Sequence, residues 1–400
     1  MSGPPGGPRA IRVLELRSTT AQGGGPERAI LLAAAAAAAQ DVEETLCFLR
    51  RRGQDPLWVH RRALELGTES HVVEERCALE PRTLGRLRRL VRERDVQLVH
   101  SHDYKADLYG FVLARLEPVI PVATAHGWPV RTRRERAVYY PADRRLLASF
   151  PLVFAVSAGI RDRLLAVGAS AGEVETLPNA VDIDVFRPDP AARARIRREW
   201  GVRDGERVIG SLGRLDPEKR HDLLLEAFAV VAAARSEARL VVAGAGSRGA
   251  RLEEEARQRG LQGRCLVLGH RPDAEDVHRG FDVFVQASDS EESPYSLLEA
   301  MATETPVIAT AVGDTRDLVR DRVDGLLVSP GDAAALARAL AETLSDLAAA
   351  RRRAEAARAR VCAERSLAAR QTRVVERYRR LLEARGVLAA HAAVERRAAS

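Results

Sequence analysis

Short apolar runs, each ending in small or polar residues and most followed by a helical pattern, recur along nearly the whole chain. In the first half they are Ile11–Leu16, Pro56–His60, Val96–His100, Val119–Ala125, Val153–Val156 and Val174–Leu177. In the second half they are Val208–Leu212, Leu240–Ala243, Cys265–Leu268, Phe281–Ala287, Pro306–Thr310 and Gly325–Val328. Strands that alternate with helices form parallel sheets whose faces are both covered. In such sheets ligands bind beyond the C-terminal strand ends, where His100, His102, His126 and Ser157 stand.

A polar connection from Pro178 to Pro190 separates the two sets. The 400 residues therefore suit two domains, each an α/β Rossmann-like half, facing one another across a cleft. Helices are expected from Glu27 to about Arg52, carrying the alanine run Ala33–Ala39, and over Pro81–Arg94, Lys105–Leu116 and His221–Ala234. Leu336, Leu340, Leu344 and Leu347 share one face of a later helix, whereas Ala348–Arg360 shows little apolar face. Val374, Val375, Tyr378, Leu381 and Leu382 restore a buried stripe near the end.

The formal charge of +7 allows an anionic ligand, but scattered basic residues and 4% aromatics do not call for nucleic acid. Cys47, Cys77, Cys265 and Cys362 are too far apart for a zinc or disulfide framework, which points to a reducing compartment. Met1–Pro5 reads as a flexible lead rather than a signal peptide, and the apolar run Ala29–Ala39 is too short to span a bilayer. Any membrane contact would be peripheral. Lys105 and Lys219 are the only lysines among 63 basic residues, so each hints at a chemical need.

The stretch Ser288–Ala302 carries the densest chemistry. Ser293 suits a helix N-cap and Pro294 the first helical position. Glu291 lies in the turn, and Glu299 shares a helix face with Tyr295 and Ser296. A helix N-terminus favours phosphate and carboxylates favour sugar hydroxyls, so the stretch suits a sugar nucleotide. Arg214 and Lys219 flank a turn that could hold a diphosphate without a metal, or be an exposed basic turn. His126, before Gly127, is either a sugar contact or a satisfied structural histidine. The Gly23–Gly24–Gly25 turn either approaches a ligand or is a flexible loop.

Other motifs favour the bland reading. Gly244-x-Gly246-x-x-Gly249 matches a dinucleotide fingerprint, but the next strand ends Leu268–Gly269–His270, without the acidic residue a ribose needs. Asp182–Ile183–Asp184 is a short acidic pair in a connection. His100 and His102 face one way on a strand, with no third metal ligand evident. Arg131, Arg133, Arg134 and Arg136, followed by Val138, Tyr139 and Tyr140, are either a solvated face or a contact for anionic lipid.

Taken in order, these pieces resemble a family 4 glycosyltransferase of the GT-B fold, over roughly residues 10 to 385. They are the Gly23–Gly25 turn, ATAHGWP around His126, AVSAGIRD around Ser157, LPNAVD around Asn179, GRLDPEKRHDLLLEAF, and Glu291-x7-Glu299 within SEESPYSLLEAMATETPVIATAVGDTRDLV. The resemblance implies an N-terminal acceptor-side domain over 10–185 and a nucleotide-sugar domain over 191–365. A helix over 366–388 would return to the first domain, and 389–400 would be a disordered tail. It implies retaining sugar transfer from a nucleoside-diphosphate sugar, with no cofactor and no obligatory metal. The acceptor would be a glycan, glycolipid or other cell-envelope molecule, met at the cytoplasmic face of the membrane. Carried over by position, His126, Glu291, Arg214 and Lys219 would be catalytic. Gly213, Arg214, Lys219, Glu291, Ser293, Tyr295, Ser296 and Glu299 would hold the donor. Gly23, Gly24, Gly25 and His102 would face the acceptor or donor phosphate. Glu292, Glu304 and Asp314 occupy usual glycine positions, Ala180 follows Asn179 where glycine is common, and Asp317 replaces a usual glutamate. A degenerate nucleotide- or glycan-binding protein and a sugar-nucleotide epimerase are the competing readings.

Overall fold

The computed structural model describes residues 10–19, 24–52, 58–76, 79–128 and 132–387. These fall into two units, one running to Pro178 and resuming at Leu367, the other spanning Asn179–Ser366. Gly23 and the tail 389–400 lie outside the described residues.

The first unit is a seven-stranded sheet: β1 Ile11–Ser18, β2 Val42–Arg51, β3 Ser70–Glu75, β4 Leu98–Ser101, β5 Ile120–Ala125, β6 Val153–Ala155 and β7 Val174–Thr176. Its order is β3-β2-β1-β4-β5-β6-β7, all pairs parallel. The long helix expected from Glu27 to Arg52 is instead the helix Gly25–Ala38 followed by β2. Alanine favours helix, but Asp41 takes a left-handed backbone (φ 58°) and turns the chain into a strand that buries Val42, Leu46 and Phe48. The strand expected at Pro56–His60 is also corrected, because the helix Trp58–Glu65 begins there and residues 56 and 57 are not described. The edge strand β3 has too few apolar residues to stand out in the sequence.

Helices cover both faces of this sheet. On one, Leu14, Leu16, Cys47, Leu49 and Val99 meet Leu87, Tyr109 and Leu113. On the other, Ile11, Val13, Leu98, Val122 and Phe154 meet Val374, Val375, Tyr378 and Leu382 of the helix Leu367–Ala384. Burying each of those aliphatic side chains contributes about 1.5–3 kcal/mol.

The second unit repeats the scheme with six strands: β8 Arg207–Leu212, β9 Ala238–Ala243, β10 Cys265–Val267, β11 Val283–Gln286, β12 Val307–Thr310 and β13 Leu326–Val328. The order is β10-β9-β8-β11-β12-β13, again all parallel. Residues 179–185, assigned above to the first half, belong here, since Val181 packs beside Phe186, Ile196 and Trp200 in this unit's core. The helix Leu347–Glu364 does have a buried seam, Ala350, Ala354, Ala357 and Val361. Small side chains form it, so hydrophobic patterning did not reveal it. The short helix Ala274–Gly280 was not expected and brings His278 into the core.

Candidate active site

In the second unit the strand order reverses direction between β8 and β11, the place where doubly wound sheets bind ligands. The two loops leaving these strands are laced together. Lys219 Nζ lies 2.6 Å from Glu291 Oε1, and Ser288 Oγ donates to the same oxygen at 2.6 Å. Arg220 reaches Asp289 at 3.0 Å, and the Asp289 N–H donates to the Glu218 carbonyl at 2.9 Å. Arg214, on the same loop, pairs with Asp216 and with Glu218, the latter at 2.5 Å. Gly213, at the end of β8, donates its N–H to the Ala243 carbonyl.

Glycines let these loops approach. A Cβ on Gly313 (φ 47°) would sit 1.7 Å from the Glu291 carbonyl oxygen, so the loop after β12 packs directly on the glutamate's backbone. A Cβ on Gly244 (φ 147°) would lie 1.7 Å from the Gly213 carbonyl oxygen, and one on Gly246 about 2.5 Å from Leu215. The Gly-x-Gly pair thus serves loop-on-loop packing beneath Arg214, which accounts for it without a dinucleotide.

The helix Tyr295–Ala302 begins one residue later than expected. Pro294, not Ser293, holds the N-cap position, and no side chain caps the helix. The Ser293 hydroxyl instead accepts from the Asn179 N–H at 3.3 Å. Asn179 also donates to the Ser293 carbonyl and accepts from Tyr295 Oη at 2.9 Å, fixing the approach to the helix. Ser296 is half-buried on the first turn. Glu299 is 4% exposed and lies 3.2 Å from Nε2 of the fully buried His278. Its partner was invisible in the sequence, because His278 sits 21 residues upstream in a helix that was not foreseen.

Of the positions where glycine is usual, Glu304 adopts a left-handed backbone (φ 58°) just past that helix, and Asp314 does not. Burial raises the Asp314 carboxyl from an ordinary 3.8 to about 6, with Asp317 and Glu292 adding repulsion against the partial relief of Arg365 and Ser293. Asp182 accepts from the N–H groups of Asp184 and Val185, so the acidic pair forms a turn.

The first unit holds a second cluster. Glu15 of β1 is in register with His100 of β4, and both are buried. Glu15 Oε2 is 2.5 Å from His102 Nε2, and Oε1 is 3.2 Å from His100 Nδ1. His100 Nδ1 also meets Tyr378 Oη at 2.5 Å, and its Nε2 meets Thr124 Oγ1 at 2.8 Å. His102 Nδ1 lies 3.2 Å from His126 Nε2. His126 Nδ1 is buried and has no hydrogen-bond partner among the described residues. Burial works against the Glu15 carboxylate, but His100 and His102 outweigh it and hold its pKa well below the usual range. Burial pushes His102 down to about 4, with His100 adding to the effect and Glu15 opposing it. Burial, with Arg17 nearby, also holds His126 well below its ordinary value. Both imidazoles are therefore neutral at pH 7.

His102 is 7% exposed, with its ring nitrogens against Glu15 and His126. Gly24 precedes the helix Gly25–Ala38, whose Glu27 pairs with Arg17 at 2.8 Å. Arg17 in turn donates to the His102 carbonyl. The Glu15–His100–Tyr378 part of the cluster escaped the sequence reading. Its one signal was a carboxylate set between Leu14 and Leu16 in an apolar strand.

Two family models match the chain in sequence order. The model "Glycosyltransferase Family 4" matches residues 23–185, and "Glycosyl transferases group 1" matches 192–360. A GDP-mannose-dependent alpha-(1-6)-phosphatidylinositol monomannoside mannosyltransferase of Mycolicibacterium smegmatis is 30% identical over 67% of this chain and 72% of its own length. The chain belongs to glycosyltransferase family 4. As a family 4 protein it also resembles the 2-deoxystreptamine glucosyltransferase of Streptomyces kanamyceticus, with 33% identity over 60% of this chain and 65% of that protein. The chain spans less than two thirds of the length of this and other curated relatives that it matches. Among solved structures, Anabaena HepE in complex with UDP-glucose superposes with a TM-score of 0.80 at 20% identity, covering 92% of this chain and 99% of that one. The family 4 chain therefore has the GT-B fold, two Rossmann-like halves in sequence.

Proposed function

We propose that the protein is a glycosyltransferase that takes a sugar from a nucleoside-diphosphate donor, with retention at the anomeric carbon and without a metal. The observation that carries this reading is the pairing of Lys219 with Glu291 where β8 and β11 diverge, next to Arg214 and the first turn of the helix Tyr295–Ala302. Two cations and a helix N-terminus suit a departing diphosphate. Glu291, in the loop, suits the donor sugar, and Glu299, on the helix Tyr295–Ala302, suits the ribose hydroxyls. His126, in the first unit, is suited to a sugar hydroxyl. The acceptor is a glycan, glycolipid or other cell-envelope molecule. The UDP-glucose bound by HepE and the GDP-mannose named for the mycobacterial relative both belong to the donor class proposed.

No helix among the described residues is long and apolar enough to cross a membrane. We propose a cytoplasmic protein that touches the inner face of the membrane through exposed Arg133, Arg134 and Arg136 beside Val138 and Tyr139, which are 57% and 42% exposed. Sedimentation with anionic and neutral vesicles tests this, and equal recovery with both would refute it.

Thermal-shift screening against UDP-, GDP- and ADP-sugars, followed by turnover with an acceptor pool, tests the main reading. Retention is read from the anomeric configuration of the product, and metal independence from unchanged rates in EDTA. Glu299→Gln keeps a partner for His278, so the fold should stand while nucleotide binding weakens; undiminished affinity refutes the ribose role. Tight nucleotide binding without turnover would favour a degenerate binding protein. Conversion of donor without acceptor would favour an epimerase.

A further inference from the structure

We propose that Glu15 and His102 are positioning residues that fix the tautomer of His126, so that His126 presents a bare Nδ1 as a hydrogen-bond acceptor for a ligand hydroxyl. The inference rests on the sugar-contacting role proposed for His126, and it assigns the direction of that contact. An ionised carboxylate only accepts, so the 2.5 Å contact between Glu15 Oε2 and His102 Nε2 requires the proton on Nε2. In a neutral imidazole the other nitrogen is then an acceptor. His102 Nδ1 must receive its hydrogen from His126 Nε2, 3.2 Å away. The same rule leaves His126 Nδ1 without a proton, and this is the atom with no partner among the described residues. Such a nitrogen matches a hydroxyl and repels a phosphate oxygen.

Two features keep the chain of bonds in this sense. Arg17 bonds the His102 carbonyl at 2.8 Å, which opposes a second positive charge on that ring. Tyr378 and His100 occupy the other carboxylate oxygen at 3.4 and 3.2 Å, leaving Oε2 for His102. Glu15, His100 and His102 could also be read as three ligands of a divalent cation. Direct contact between Glu15 Oε2 and His102 Nε2 argues for a hydrogen bond, because two atoms that aim at each other do not aim at a common ion.

Full-length protein labelled with 15N-histidine, examined by two-bond proton–nitrogen correlation near pH 7.5, tests this without any substrate. His126 and His102 are assigned by loss of their signals in His126→Gln and His102→Gln. Both should be neutral with the proton on Nε2. A proton on Nδ1 of His126, or an imidazolium at either site, would overturn the proposal. Glu15→Leu should leave a mixture of tautomers and lower kcat on the order of tenfold or more, the size that outer partners of a functional histidine carry, with nucleotide affinity unchanged. Glu15→Gln, which keeps an oxygen for His102, should retain the Nε2 tautomer even if the leucine variant does not fold. Equimolar zinc should move none of these signals; shifts at His100 and His102 would establish a metal centre and refute the relay. If no sugar donor is turned over, the functional reading fails while the tautomer measurement still decides the inference.

Discussion

Lys219 Nζ stands 2.6 Å from Glu291 Oε1, so the ammonium is already neutralised before any phosphate arrives. A diphosphate must compete with the carboxylate for it. Lys219→Ala should weaken nucleoside-diphosphate binding by about tenfold, or about 1.4 kcal/mol, and abolish most turnover. Glu291→Gln should leave that affinity equal or tighter while turnover falls. Titration calorimetry with UDP and GDP reads both, and parallel losses in the two variants would count against competition.

The Gly-x-Gly pair before the helix Gly249–Gln258 separates packing from ligand binding. Gly244→Ala forces a methyl group into the Gly213 carbonyl and should cost on the order of 1–3 kcal/mol or more. Gly249→Ala meets only Leu215 Cδ1, at 3.4 Å, and should be nearly neutral. Chemical denaturation measures both, and equal stability of the two variants would refute the packing role.

Glu304 occupies the left-handed position (φ 58°) that follows the helix Tyr295–Ala302. A side chain there is strained by about 1–2 kcal/mol, partly offset by the greater freedom of glycine in the unfolded chain. Glu304→Gly should therefore raise stability by roughly 0.5–1 kcal/mol, a gain of roughly 1–4 °C in Tm. A lower Tm would mean that the glutamate makes a compensating contact.

Asp314 has its pKa raised from 3.8 to about 6 in the folded state. The folded protein then binds more protons than the unfolded chain between those values, so this group lowers stability as pH rises through the window. Asp314→Asn removes the effect. Its Tm relative to the parent should climb between pH 4 and about 6 and level off above that. A difference independent of pH would show that the carboxyl is not perturbed.

The second half was legible because its strands are apolar runs with glycine or polar ends, as at Phe281–Ala287 before Ser288. The helix His221–Ala234 has the limits that its pattern suggests. In the first half, the alanines of Ala33–Ala39 carried the helical reading past Asp41 into β2, because nothing local marks a left-handed aspartate as a stop. Among the site residues, Lys219 and Glu291 were found by residue type and come together in space. Glu299 was found, but its burial against His278 was not, since that contact depends on how two helices pack. The hydrogen bonds of Glu15 reach 85 residues to His100 and 363 to Tyr378, and no periodicity reports such pairs.

Tyr378 belongs to the last described helix, yet it contacts the first strand. Val374, Val375 and Leu382 beside it close a face that Ile11 and Val13 open. On the ribosome, chains are made from the N-terminus and domains tend to fold as they emerge. Here the sheet that is synthesised first must wait, with part of one apolar face uncovered, until the intervening unit has been made. The first unit is thus the earliest begun and the last completed, and a fragment ending at Pro178 would carry an exposed face and His100 without its tyrosine.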